Sequence, residues 1–175
     1  MEISAAQVKE LREKSGAGVM DCRNALIKTE GNFEKAHELL KEQSVYKVQK
    51  RSTRIVLQGA VTAYIHAGGK IGALVELNCE TDFVARTDAF RELAHDIAMQ
   101  IAAQEPICIG EDAMPKDIED PPEVACLLRQ PFIKRPEISI QDLINEAIAK
   151  TGENIKVKRF ARFELGQVES KVAGI

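Results

Sequence analysis

The chain has 175 residues, 45% of them hydrophobic and 29% charged, with no Trp and 5% aromatics, so a mostly aliphatic core of ordinary domain size is expected. A net charge of −3 weighs against a general nucleic-acid binder, and the apolar stretches are too short to cross a bilayer. Cys22, Cys79, Cys108 and Cys126 form no Cys-x-x-Cys pair, which argues against a zinc knuckle or disulfide framework and for buried free thiols in a cytoplasmic protein.

The start, Met1-Glu2-Ile3-Ser4, shows neither a basic n-region nor an apolar h-region, so no secretory leader is read there. Residues 4–43 then predict three short helices. Ser4 and Gln7 make a capping box, and Val8 and Leu11 follow on one face. Gly16-Ala17-Gly18 breaks the helix. The second helix turns Cys22, Ala25 and Leu26 inward and ends at Gly31-Asn32. Asn32 caps the third, which presents Phe33, Ala36, Leu39 and Leu40. Residues 1–54 hold 11 basic and 8 acidic groups, the remainder 13 and 19. The run Lys47, Lys50, Arg51, Arg54 could touch RNA, but it reads more simply as a solvated helix extension or linker, or as a surface facing an acidic protein.

The period then changes from 3.6 to 2. Val61, Ala63 and Ile65 alternate with Thr62, Tyr64 and His66, and Gly68-Gly69 signals a hairpin with a two-residue turn. In the second strand Ile71, Ala73, Val75, Leu77 and Cys79 share a face. Thr87 caps an amphipathic helix over residues 88–104 with an apolar stripe of Phe90, Leu93, Ala94, Ile97, Ala98 and Ile101. All six prolines fall in residues 106–136, and residues 111–123 hold six acidic groups and one Lys; a Pro-rich acidic loop is expected, with at most one short helix near 123–129. Ser139 caps another helix bearing Ile140, Leu143, Ile144, Ala147 and Ile148, which Lys150 and Gly152 close. A third strand covers residues 154–165 before a frayed tail at 167–175.

The order is three helices, then β-β-α-loop-α-β. Helices would cover one face of the three strands. The other is expected to carry Tyr64, Leu74 and Phe160 among polar groups, which suggests packing against the sheet of a second copy.

No catalytic constellation is visible. His37, His66 and His95 are scattered, with His95 read as core-edge packing; there is no phosphate-cradling loop and no metal-ligand spacing. Neither cofactor nor metal is expected. One segment, residues 78–86 (Asn-Cys-Glu-Thr-Asp-Phe-Val-Ala-Arg), places Phe83 beside Asp82 in a short turn. From the residues alone the ring either projects outward or folds back on the helix as a staple.

Three stretches carry a resemblance. Residues 11–26, which include Arg12, Ser15-Gly16-Ala17-Gly18, Val19, Met20 and Asp21, and residues 78–86 resemble the two signatures of the elongation factor Ts family. Residues 149–155 and 159–166 resemble the end of its short form. The resemblance spans nearly the whole chain, in the right order. It implies an α+β fold: an N-terminal three-helix ubiquitin-associated-like module at 1–45, a linker at 46–54, and at 55–166 a β-β-α-α-β dimerisation domain with a three-stranded antiparallel sheet. It also implies a non-enzymatic guanine-nucleotide exchange factor that binds elongation factor Tu in its GDP form. Arg12, Val19 and Met20 would contact the GTPase domain. Thr81, Asp82, Phe83 and Val84 would enter near its nucleotide site and dislodge Mg²⁺. The family's long helical hairpin is replaced here by the Pro-rich acidic segment, and the single core copy implies a homodimer through the sheet. Direct nucleic-acid binding and membrane association are not expected. A helical adaptor, or a ribosome or RNA accessory protein without exchange activity, is the alternative.

Overall fold

The computed structural model describes residues 3–167, with only the backbone described at Ser44, Val45, Tyr46 and Lys47. The first two residues, the Lys47 side chain of the basic run and nearly all of the expected tail lie outside the described residues. The chain divides into two compact units: residues through Thr53 with Ala149–Gly152, and Arg54–Ile148 with Glu153 onward.

In the first unit, capping decides where each helix begins. The Gln7 N–H donates to Ser4 Oγ at 3.2 Å while the Ser4 N–H donates to Gln7 Oε1 at 3.0 Å, starting α1 (Ala5–Ser15). Gly16 ends it at φ 67°, a left-handed conformation that a side chain would oppose. After α2 (Val19–Lys28), the Asn32 carboxamide oxygen accepts from the Lys35 N–H at 3.0 Å and starts α3 (Phe33–Arg51). The helix therefore runs through much of the basic stretch. Val8, Leu11, Cys22, Ala25, Leu26, Ala36 and Leu40 form the core, with Phe33 and Leu39 at its edge.

In the second unit, β1 (Gln58–Ile65) and β5 (Ile155–Glu164) flank the central β2 (Ile71–Cys79), all antiparallel. The mixed helix and strand content and this three-stranded sheet make the fold α+β. The hairpin closes over Ala67–Lys70 rather than over two residues. Its turn bonds Gly69 N–H to the His66 carbonyl at 2.9 Å, and Gly68 and Gly69 both take positive φ.

The helix α5 (Asp88–Gln104), capped by Thr87, lays its expected stripe on one face of the sheet, and all six stripe residues are buried. The other face differs from expectation. Tyr64 pairs with Ala73, and Phe160 with Val75, on the covered side; the Tyr64 ring meets His95 edge-on at 5.6 Å. Alternation alone puts Tyr64 on the open side of β1, because the outward positions Val61, Ala63 and Ile65 are as apolar as buried ones. A bulge after Glu76 also moves β5 by one residue: Glu76 faces Arg159 and Leu77 faces Val157. The open face thus carries Val61, Ala63, Ile65, Leu74, Ala161 and Phe163.

Residues 106–136 are more ordered than a loop. They hold 3-10 turns at Glu111–Ala113 and Leu127–Arg129, the one-turn α6 (Pro122–Ala125), and a hairpin of β3 (Pro131–Phe132) and β4 (Arg135–Ser139) absent from the expected element order. Two strands offer two edges, which tolerate proline, so proline density does not exclude this sheet. Buried Gln130 ties the segment to α5. Its amide donates to the carbonyls of Val124 (2.7 Å) and Gln104 (3.3 Å), and its oxygen accepts from Gln100 Nε2 at 3.2 Å. Lys134 bonds Asp96 at 2.7 Å, and this hydrogen bond raises the Lys134 pKa. Ser139 and Asp142 then cap α7 (Ile140–Thr151).

Candidate functional site

At the end of β2 the register brings Cys79 opposite Ile155, so the residues just after β2 lie beside those just before β5. Three polar groups use that neighbourhood. Glu80 accepts from the Asn154 backbone N–H at 2.6 Å and from Arg54 Nη1 at 3.3 Å. Asn154, itself buried, donates its amide to the Arg54 carbonyl at 2.8 Å. The Thr81 N–H and hydroxyl donate to the two carboxylate oxygens of Glu153, at 3.0 and 2.6 Å. Charge-assisted bonds of this kind are the stronger ones.

The turn they hold is α4 (Asp82–Ala85). Thr81 Oγ1 accepts from the Val84 N–H at 3.4 Å, and Cys79 Sγ–H donates to the Thr81 carbonyl at 3.1 Å. Burial, then the Glu153 charge, raises the Cys79 pKa, which keeps that thiol a donor. Val84 and Ala85 are buried, and the Thr87 hydroxyl donates to the Val84 carbonyl at 2.8 Å before capping α5. The turn is therefore pinned at both ends.

Phe83 points away from all of this and is 82% exposed. The staple alternative is excluded by that figure. Beside it Asp82 forms an (i, i+4) ion pair with Arg86 at 2.6 Å, both side chains largely exposed. The four residues singled out from sequence thus divide: Thr81 and Val84 anchor the turn, while Phe83 and Asp82 face outward. Sequence reasoning missed Arg54, Glu80, Glu153 and Asn154 as anchors. The pairing of β2 with β5 was the signal that could have found them.

Arg12, Val19 and Met20 belong to the other unit, on either side of the Gly16-Ala17-Gly18 break. All three are exposed, Met20 at 61%, and Ile27 in α2 is exposed as well. Together they put apolar side chains and one guanidinium on the surface of the three-helix unit.

Chemically, the exposed turn offers an aromatic ring and a carboxylate, with no nucleophile–base pair. Tyr64 OH and His66 Nδ1 lie 3.2 Å apart on β1 and its turn. Among the described residues no group of three or more His, Cys, Asp or Glu could hold a metal ion. No described helix is long and apolar enough to cross a membrane.

The fold and these surfaces define a two-unit α+β protein whose outward side chains are suited to docking on another macromolecule. Residues 7–123 match the family model described as elongation factor TS. The chain is 46% identical to elongation factor Ts of Carboxydothermus hydrogenoformans, over 94% of this chain and 90% of that one. It is likewise 46% identical to elongation factor Ts of Koribacter versatilis, over 99% and 93%. With elongation factor Ts of Thermodesulfovibrio yellowstonii it shares 45%, over 98% and 100%. The chain belongs to the elongation factor Ts family of translation factors.

Proposed function

We propose that this chain is a guanine-nucleotide exchange factor that binds elongation factor Tu in its GDP form and promotes release of GDP without covalent chemistry. The observation that carries the proposal is the Phe83 ring, held out on a turn that Thr81, Val84 and Ala85 anchor. An apolar ring left in water forgoes about 1.5–3 kcal/mol of burial free energy. Buried in a partner, that free energy is available to distort the partner.

In this mechanism Arg12, Val19 and Met20 dock on the GTPase domain, and Thr81, Asp82, Phe83 and Val84 enter near its nucleotide. Phe83 wedges between structural elements there, and Asp82 disturbs the groups around Mg²⁺. Since Mg²⁺ bridges the phosphates and the switch residues, loosening its shell lowers nucleotide affinity. Linkage is reciprocal, so incoming GTP weakens the exchange factor's own grip and the cycle turns over. Asp82 must leave Arg86 to act; an exposed ion pair is worth only about 0–1 kcal/mol, so that exchange is cheap.

Residues 1–45 serve as the ubiquitin-associated-like docking module, 46–54 as its connection and 55–166 as the body. The body pairs with a second copy through the open sheet face, where Val61 is 69% exposed and Ile65, Leu74 and Phe163 (64%) line a groove of about 460 Å³. A face this apolar supports association. The site of action is the cytoplasm.

Release of labelled GDP from elongation factor Tu, with and without the full chain, tests the proposal. Acceleration by orders of magnitude is expected, as is binding to the GDP form. Binding without acceleration would instead favour an adaptor.

A further inference from the structure

Cys108 and Cys126 are separated by 18 positions, yet their sulfurs lie 3.1 Å apart. Backbone pairing puts them there. The two residues form an isolated parallel bridge, with the Cys108 N–H donating to the Ala125 carbonyl at 3.1 Å and the Leu127 N–H to the Cys108 carbonyl at 2.9 Å. Strands so paired lie about 4.7–4.9 Å apart. Disulfides need Cα atoms about 4.4–6.8 Å apart, so this backbone already meets the requirement. With Ala125 the two cysteines are the centre of a small core against which Ile107, Met114 and Ile118 pack.

We propose that Cys108 and Cys126 are a reversible dithiol site, which closes to an intrachain disulfide by exchange with a small-molecule disulfide and thereby clasps the acidic segment between them. The proposal stands apart from the exchange function. Cys126 is fully buried while Cys108 keeps 6% exposure, so Cys108 is the entry sulfur. Burial, reinforced by the Cys126 sulfur and the Asp112 charge, pushes Cys108 up to about 12, and it rests as a protonated thiol at neutral pH.

In the first step Cys108 gives up its proton and attacks one sulfur of the small disulfide. That S–S bond breaks, and one small thiol leaves carrying the proton. Cys126 then loses its proton and attacks Cys108 Sγ, forming the Sγ–Sγ bond and expelling the second small thiol. Two electrons pass from the protein pair to the small disulfide, and two protons end on the released thiols. A dithiol reductant reverses the sequence. Cys22 and Cys79 are internal controls: the Cys22 sulfur faces Ser15 Oγ and the Ala17 carbonyl, and Cys79 faces the Thr81 carbonyl.

The test incubates the full chain with oxidised glutathione, denatures it, alkylates free thiols and maps tryptic peptides. Cleavage after Lys116 and Arg129 separates Cys108 from Cys126, so their bond appears as two linked peptides. The expected result is that link, with two of the four cysteines still alkylated, and full recovery of four after dithiothreitol. Amide exchange in residues 109–125 should slow about a hundredfold on oxidation, the effect of closing a loop of this length. In Cys126→Ala, glutathione should instead stay attached to Cys108. Four alkylatable thiols after oxidation, a link involving Cys22 or Cys79, or a stable glutathione adduct in the unsubstituted chain would overturn the proposal. Unchanged exchange in the linked protein would overturn the clasp.

Discussion

Replacing Phe83 by Ala separates a wedge from a structural residue. The ring is 82% exposed, and the turn beneath it is held by Thr81, Glu153, Val84 and Thr87, none of which depends on Phe83. Stability of the free chain should therefore change by no more than about 0.5 kcal/mol. That corresponds to a melting shift of about 1–2 °C for a chain of this size. In the complex the same ring would lose nearly all its exposed area. Burial of a Phe side chain is worth about 1.5–3 kcal/mol, and tenfold in affinity corresponds to about 1.4 kcal/mol, so the loss should be about 10- to 100-fold. The assay is the concentration dependence of labelled GDP release from elongation factor Tu, alongside thermal unfolding of the variant alone. A folded Phe83→Ala chain that still drives release within twofold of the parent would refute the wedge. A variant that melts many degrees lower would refute the claim that the ring contributes nothing to its own unit.

Gln130→Ala should lower stability by about 2–3 kcal/mol, because it strands the Val124 and Gln104 carbonyls and removes one of the partners of Gln100 in a buried site; denaturant unfolding measures it. Phe163→Asp, on the open sheet face, should shift the sedimentation coefficient from that of the proposed dimer to that of a monomer while leaving the fold intact by circular dichroism; a dimer that persists in the variant would move the interface elsewhere. The Arg159 hydrogen bond at 2.7 Å holds Glu76 below its ordinary value of 4.5, so its stabilisation is present above that value and is lost as pH falls below it. Glu76→Gln should accordingly flatten the stability–pH curve in that acid range, read by thermal melts.

Helix positions were legible where a local signal sufficed. The pairs Ser4–Gln7, Asn32–Lys35 and Thr87–Phe90 are capping contacts between residues three apart, and the stripe on α5 needs only periodicity. What failed required partners distant in sequence. Which side of β1 is covered depends on its pairing with β2 and on α5, and alternation alone assigns two faces without saying which is inner. The hairpin at Pro131–Phe132 and Arg135–Ser139 is two residues wide on one side and full of proline, so no period could reveal it. Its place is set by Gln100 and Gln130, buried amides that read as surface residues in a sequence.

The candidate site shows the same division. The motif at 78–86 singled out Phe83, but the residues alone left the ring either outside or folded back, because its direction is decided elsewhere. Glu153 lies 72 positions after Thr81 and binds both its N–H and its hydroxyl. Glu80 receives the Asn154 backbone N–H across the same junction. With these bonds made, Val84 and Ala85 fill the interior side of α4, and the residue between Asp82 and Val84 has only solvent to face. Outward display of the ring is thus a consequence of the β2–β5 register rather than of the motif itself. Loosening Glu153 should consequently mobilise the proposed wedge without touching it, since a ring proposed to distort a partner is effective only if its own support yields less than the partner does.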